Sequence, residues 1–405
     1  MLKDDKVAVP AVPVAGIDPA VAVAGQAVNP ARLFYIDWVK AGCIAILIPY
    51  HAALLYSSFP YHMKSKETSI ALSIFNAIVL IWYVAVLMFV AGYGARIAMI
   101  KRNPLQFITA RLSRLVIPLL FGVFVIVPPQ IYLEHLYKGE IDYNYFTWYT
   151  QHYFTNLTPY PAGNLSWHHL WYIGYLAVIS ALLLPLCVRI KKVSPFQRMP
   201  GLRTLLSSRY GNILLVVPIL MIEFFLRIHI QSGVLDIIHD SLNFIVMCFY
   251  YIYGFMLASD SAIYNGFLKS RKICLSFALI SVFIYYGGVL TGLIDTAHFD
   301  TLTVQWINAW RGMVAWCFTA AIIGYASRYL NINNKILRYA SQAFLPVYII
   351  HQTILFILAY YVLGSDINPF AGFLLLTVST FIISMLVFEF GIRRFKITRL
   401  LFGIY

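Results

Sequence analysis

Ile36-Asp37-Trp38-Val39-Lys40-Ala41-Gly42-Cys43-Ile44-Ala45-Ile46-Leu47-Ile48-Pro49-Tyr50-His51-Ala52-Ala53-Leu54-Leu55-Tyr56 is an apolar run interrupted by Asp37, Lys40 and His51. It is long enough to cross a bilayer as a helix, which takes roughly 20 residues. At about 100° per residue, Lys40 and His51 fall within ~20° of one line on that helix, and Asp37 within ~40° of it. Charged and titratable side chains are costly in hydrocarbon, so such a line should face a protein-lined or wet interior. At ~1.5 Å per residue, Lys40 and His51 stand ~16 Å apart along the axis, about half the hydrocarbon thickness. A plainer reading is open at each position. Asp37 and Lys40 can form an interfacial i,i+3 pair that snorkels to water. His51 can be a core histidine bonded to a backbone carbonyl.

The chain around this run has 405 residues, 61% hydrophobic and only 11% charged. Soluble domains hold roughly 25% charged residues, so the composition defines a polytopic membrane protein. Ten apolar segments stand out, near 36–56, 72–95, 115–133, 167–188, 212–229, 241–258, 273–293, 304–325, 342–363 and 370–391. None has the alternation of a membrane β-barrel, so the expected fold is all-α, a bundle of about ten transmembrane helices. Of the 30 Lys and Arg, 24 fall in the N-terminal tail, the C-terminal end and every second loop between. The intervening loops hold four, namely Lys64, Lys66, Lys138 and Arg227. Lys40 and Arg311 lie at segment starts. This split follows the positive-inside rule and places both termini in the cytoplasm. The net charge of +14 thus sets topology and calls for no nucleic-acid partner. Residues 1–31 are rich in Ala, Val and Pro without helical period and read as a disordered cytoplasmic tail ahead of a membrane domain over 32–405. The five cysteines make no C-x-x-C pair, and no metal site is expected.

The outside loops carry carboxylates, and the largest, about 134–166, is crowded with Tyr, Phe and Trp beside Asn144, Asn156 and Asn164. Aromatic faces beside carboxylates and amides suit a sugar; an interfacial aromatic belt has the same composition. Arg111 and Arg114 form Arg-Leu-Ser-Arg before the third segment, with both guanidiniums on one helix face. That arrangement can grip phosphate bidentately or anchor to lipid headgroups. His351 lies near the middle of the ninth segment, with Tyr348 one turn before it. His168 and His169 precede Leu170-Trp171-Tyr172, at the outer end of the fourth. Glu223 and Glu389 are further intramembrane carboxylates, and Glu389 has Arg393 four residues on as a ready partner. His62-x4-Glu67 and His135-x4-Glu140 lie in exposed loops and read as chance. No G-x-S-x-G, Walker A or H-E-x-x-H motif is present.

Lys40-x10-His51 in the first segment, with Arg111-x-x-Arg114 before the third, resembles the membrane acyltransferase 3 family. That family has a basic residue, ten residues and a His in its first span, and R-x-x-R near its third. Lys stands at position 40 where Arg is commoner. The resemblance runs from about residue 33 to 402. Ser166-Trp167-His168-His169-Leu170-Trp171-Tyr172, Ala343-Phe344-Leu345-Pro346-Val347-Tyr348-Ile349-Ile350-His351-Gln352 and Phe388-Glu389-Phe390-Gly391-Ile392-Arg393-Arg394-Phe395 are similar to a branch associated with succinylating periplasmic glucans.

The resemblance implies an O-acyltransferase of a bacterial-type inner membrane. It would move an acetyl or succinyl group from cytoplasmic acyl-CoA, as acetyl-CoA or succinyl-CoA, to a hydroxyl of an extracytoplasmic glycan. His51 is then the expected general base, an imidazole titrating near pH ~6.5. Lys40, Arg111 and Arg114 are expected at the donor phosphates, with Asp37 beside Lys40 on the inner approach. His351 is a further catalytic candidate. His169, Trp171 and Glu223 are candidates for the acceptor side. The expected partners are the acyl-CoA donor, a carbohydrate acceptor and membrane lipids. A flippase or transporter of a lipid-linked sugar or small anion would need the same intramembrane groups; a membrane scaffold would not.

Overall fold

A computed structural model describes residues 34–192, 199–230 and 240–404. The tail expected over 1–31 lies outside them. Among the described residues there is no β-strand, only one isolated bridge between Pro159 and Leu165. The first half holds α1 (Phe34–Leu54), α2 (Ile70–Ala98), α3 (Pro104–Phe121), α4 (Pro128–Tyr137), the single turn α5 (Tyr145–Thr147), α6 (Trp171–Leu182) and α7 (Leu184–Lys192). The second holds α8 (Pro200–Leu206), α9 (Val217–Phe225), α10 (Ser241–Leu257), α11 (Ser261–Leu290), α12 (Thr301–Tyr329), α13 (Lys335–Val362), α14 (Pro369–Leu386) and α15 (Lys396–Leu401). Local chemistry sets several starts. Asn103 and Gln106 make a reciprocal capping box on α3, and Asp300, Asn334 and Asn368 cap α12, α13 and α14 through side-chain oxygens.

Five helical stretches are long and apolar enough to cross a membrane: Ile70–Ala98, Pro104–Tyr137, Ala262–Leu290, Lys335–Val362 and Pro369–Ile392. The number rises to seven if two bent pairs are each one span. One pair, His168–Leu182 with Leu184–Lys192, bends by 55°; the other, Pro200–Leu206 with Gly211–Phe225, bends by 104°. Five to seven is fewer than the ten segments read from hydropathy, and the reasons are local. α10 has 17 residues. The apolar stretch around 212–229 is split by a 3₁₀ turn, which leaves α9 with nine residues. In α1 the run is interrupted by Asp37, Lys40 and His51, and in α12 by Asn308 and Arg311. Those side chains are tolerable because their helices lie inside the bundle, where neighbours supply polar partners.

α1 packs against α2, α12, α13 and α14, and so lies at the centre. Its first turn is tied down by the Phe34 N–H donating to Asn331 Oδ1 (2.9 Å) and Trp38 Nε1–H donating to the Ile332 carbonyl (3.0 Å). Its last turn is closed by the Lys64 ammonium, which donates to the carbonyls of Leu54 (2.8 Å), Ser57 and Phe59 (3.0 Å). A cation there also complements the negative end of the helix dipole. α2 and α10 approach more closely than side chains would permit. A Cβ at Gly92 would stand 1.8 Å from the Tyr251 carbonyl oxygen, and one at Gly254 would stand 1.8 Å from that of Phe89. The two glycines thus make a reciprocal backbone contact, the device by which helices pack where lipid supplies no hydrophobic drive. Gly92→Ala or Gly254→Ala should therefore destabilise the folded protein by roughly 1–3 kcal/mol, read as a lower midpoint of unfolding in mixed micelles. Gly42→Ala, where a Cβ meets nothing within 4 Å, should not lower the midpoint and should raise it slightly, since Ala favours the helix over Gly.

Candidate active site

Three histidines distant in sequence meet inside the bundle. His51 lies in the last turn of α1, His351 in the middle of α13, and His169 in the 3₁₀ turn before α6. All are buried. His51 Nδ1 is 3.0 Å from His351 Nε2, and the rings are nearly parallel at 15° with centroids 5.1 Å apart. The His169 ring stands edge-on to both, 5.1 Å from His351 and 6.4 Å from His51.

The partners fix the protons. His351 Nδ1 faces the carbonyls of Tyr348 (2.6 Å) and Val347 (3.2 Å). A carbonyl only accepts, so Nδ1 carries the hydrogen and Nε2 of the neutral ring is a lone pair. His51 Nδ1 must then be the donor in the bond between the rings. A neutral imidazole has one N–H, so His51 Nε2 is left as a free lone pair, the form a general base needs. The same reasoning holds for His169. Its Nε2–H donates to the Ile349 carbonyl (2.9 Å), and its buried Nδ1 has no hydrogen-bond partner. The Tyr348 hydroxyl donates to the His169 carbonyl, which clasps the turn to α13 from both directions.

His51, His169, Trp171, Tyr172, Tyr83 and Tyr348 line a cavity of about 20 Å³. That is room for one water-sized group, such as a hydroxyl. Toward the start of α1, Lys40 pairs with Asp37 at 3.6 Å, and its ammonium lies 3.8 Å from where a Cβ at Gly94 of α2 would stand. Arg111 and Arg114 come close enough to act on Lys40 electrostatically. Arg111 Nε donates to Ser180 Oγ (3.2 Å), while its buried Nη2 has no hydrogen-bond partner. Three cations from two helices thus share one end of the bundle, roughly 16 Å along α1 from His51.

The site residues read from the sequence therefore fall into three places. His51, His351, His169 and Trp171 meet at the inner cavity. Lys40, Arg111, Arg114 and Asp37 gather near the start of α1, so Asp37 lies about 21 Å along the axis from His51 and does not touch it. Glu223 is elsewhere. It takes both arms of Arg227 at 2.6 Å, and Arg227 reaches Asn243 at 2.9 Å. That pair lines a separate cavity of about 120 Å³ with Arg311 and Tyr250. Val84 of α2 borders both cavities, so this helix is the wall between them. Glu389 binds Arg393 at 2.9 Å, as its spacing suggests.

One cluster escapes sequence reading. His62 bonds not to Glu67 but to Glu134, with Nδ1 2.7 Å from Oε2. The Tyr160 hydroxyl donates to Glu134 Oε1 (2.7 Å), and His168 stacks on His62. Burial and the neighbouring Glu134 carboxylate push the Tyr160 phenol above its ordinary range, so it remains a donor. The only sequence signal was the pair of adjacent histidines at 168 and 169, which the fold sends to different sites.

The match to the acyltransferase domain of the acyltransferase 3 family covers residues 33–389, and the chain belongs to that family. Among known proteins it is similar to glucans biosynthesis protein C of Escherichia coli K12 (strain DH10B). The two are 23% identical over 375 residues, covering 89% of this chain and 92% of the relative. The same protein of E. coli O157:H7 (strain EC4115) is 23% identical over 381 residues, with the same coverage of both chains. No solved structure matches the chain.

The proton assignment makes His351 an orienting acceptor. His351→Ala should lower acyl transfer by roughly 5- to 150-fold, the worth of about 1–3 kcal/mol for a buried donor left unpaired. His351→Gln, whose amide oxygen can still accept from His51 Nδ1–H, should recover part of that loss in the same labelled-acyl assay.

Proposed function

We propose that this protein is an integral membrane O-acyltransferase of a bacterial-type inner membrane, with about ten spans and both termini cytoplasmic. It moves an acetyl or succinyl group from cytoplasmic acyl-CoA to a hydroxyl of an extracytoplasmic glycan. The observation that carries this reading is the hydrogen-bond chain from the Tyr348 carbonyl through His351 to His51, which leaves His51 Nε2 unprotonated in a residue bordering a hydroxyl-sized cavity. The cation group of Lys40, Arg111 and Arg114 supports an anionic donor. Arg forks suit phosphates, and the CoA moiety carries several. The name of the E. coli relatives supports a carbohydrate acceptor.

In this reading the acceptor hydroxyl enters the cavity and gives its proton to His51 Nε2 as its oxygen attacks the thioester carbonyl carbon. The imidazolium keeps its Nδ1–H on His351 Nε2, and so stays oriented while charged. The tetrahedral intermediate collapses, the C–S bond breaks, and the proton passes from His51 to the leaving sulfur. The products are an O-acyl ester and free CoA. His169 and Trp171 would border the acceptor, and Glu223 would hold Arg227 in the neighbouring cavity.

Two measurements test this. A general base contributes typically 10²–10⁴-fold, so His51→Ala and His51→Gln should both lose transfer by that order while still binding acyl-CoA. Gln keeps a polar side chain of similar reach but cannot take and return a proton; near wild-type turnover in His51→Gln would remove His51 from the chemistry. Arg111→Lys should weaken donor binding by roughly 10- to 150-fold, as one charged hydrogen-bonding fork is worth about 1.5–3 kcal/mol. Unchanged acyl-CoA affinity in that variant would reassign Arg111 to helix packing through Ser180. Both assays run on detergent-solubilised protein, where release of CoA separates acyl transfer from transport.

A further inference from the structure

We infer that His62, Glu134 and His168 form a binding site for one divalent cation of the zinc class. Each of the three offers a ligand atom, and these atoms lie within 4.8 Å of one another; no other such group of His, Cys, Asp and Glu occurs among the described residues. Two imidazoles and one carboxylate are a donor set suited to Zn²⁺.

The three side chains come from separate parts of the chain. His62 lies in the segment between α1 and α2, Glu134 on α4, and His168 in the turn before α6. Glu134 is 2% exposed and His168 6%. A carboxylate so buried needs full compensation. Its Oε1 has it, from the Tyr160 hydroxyl at 2.7 Å and the Lys138 ammonium at 2.5 Å. Its Oε2 faces His62 Nδ1 at 2.7 Å, and His62 Nδ1 is also 3.2 Å from the Tyr160 hydroxyl.

His168 supplies the observation that a hydrogen-bonded network alone leaves unexplained. Its Nδ1 is 2.6 Å from Ser166 Oγ, while its Nε2 is buried and has no hydrogen-bond partner. Ser166 Oγ accepts from the His168 backbone N–H (3.0 Å) and, as a hydroxyl, can also accept from Nδ1–H; in that tautomer Nε2 is a lone pair, the usual state of a metal-bound histidine. The His168 ring lies against that of His62, with centroids 4.3 Å apart and planes 16° from parallel. Tetrahedral zinc, with bonds of about 2.0–2.1 Å, sets its ligand atoms roughly 3.3 Å apart. The 2.7 Å contact between His62 and Glu134 has to open slightly, and His168 has to close by about 1.5 Å at most. Side-chain torsions have to supply both shifts, and also to turn one of the two near-parallel rings so that both in-plane lone pairs meet at one ion. On binding, Nδ1 of His62 ligates the cation with the ring hydrogen on Nε2, any second proton leaves to solvent, and Lys138 and Tyr160 keep Glu134 Oε1. Three protein ligands leave a fourth position for water or a substrate oxygen.

This assignment does not depend on acyl transfer, so the test reads metal directly. Full-length protein in detergent, stripped with a chelator and then titrated with zinc against a chromophoric competitor, should bind one zinc per chain. Zinc should also raise its thermal midpoint, since a ligand held only by the folded state stabilises it. His62→Ala, Glu134→Gln and His168→Ala should each lose more than the roughly 10- to 100-fold in affinity that an outer-shell change costs, and Ser166→Ala should fall within that range. His135→Ala, which alters the exposed His135–Glu140 pair nearby, should bind as wild type. Absence of one-to-one zinc binding by the wild-type chain overturns the proposal whatever the variants do. Wild-type zinc affinity in all three ligand variants also overturns it. Cobalt adds a readout free of variants: intense tetrahedral absorption supports the site, and the weak bands of an octahedral aqua ion overturn it.

Discussion

A single N–H between two imidazoles governs how this molecule has to be built. The bond from His51 to His351 joins the end of α1 to the middle of α13, 300 residues away in sequence. It assigns every proton in the pair only because the far nitrogen of His351 is held on backbone carbonyls. In the dry interior of a bundle, each ring nitrogen must have a partner or a use. The one left over, His51 Nε2, belongs to a residue bordering the cavity between α1, α2 and the turn before α6. A small shift of α1 against α13 would break the bond and scramble the protonation pattern.

The packing around that bond serves to keep α1 and α13 in register. Asn331 and Ile332 hold the first turn of α1, and Lys64 closes its last. His169 and Tyr348 lock the 168–170 turn onto α13 by reciprocal side-chain-to-carbonyl bonds. On the far side, the glycines at 92 and 254 bring α2 and α10 to backbone contact, so α2 can stand as a thin wall between two polar cavities. This separates the Glu223–Arg227 ion pair from the histidines. The bundle therefore offers cations at the start of α1, imidazoles at its end, and a His–Glu–His cluster beyond them.

Much of this was legible in residue order. Hydropathy identified an all-helical membrane chain, because a bilayer leaves few ways to satisfy backbone groups. The ten-residue interval between Lys40 and His51 placed a cation and an imidazole on one face of one helix, since helical period is a local property. Arg111 and Arg114, at i,i+3, were legible for the same reason, and Glu389 with Arg393 at i,i+4 likewise. Other matters depended on tertiary structure. Whether His51 met His351, His169 or nothing required the packing of α1 on α13, and the tautomer followed only from that contact. The His62-x4-Glu67 spacing read as chance, and the partner of His62 is Glu134, brought there by the fold. Adjacent His168 and His169 looked equivalent, but the turn sends one ring to the Glu134 cluster and the other to His351. Spacing along a helix fixes angle and rise, and so determines which residues share a face. What that face meets is set by contacts between residues far apart in the chain, and those exist only once the helices have packed.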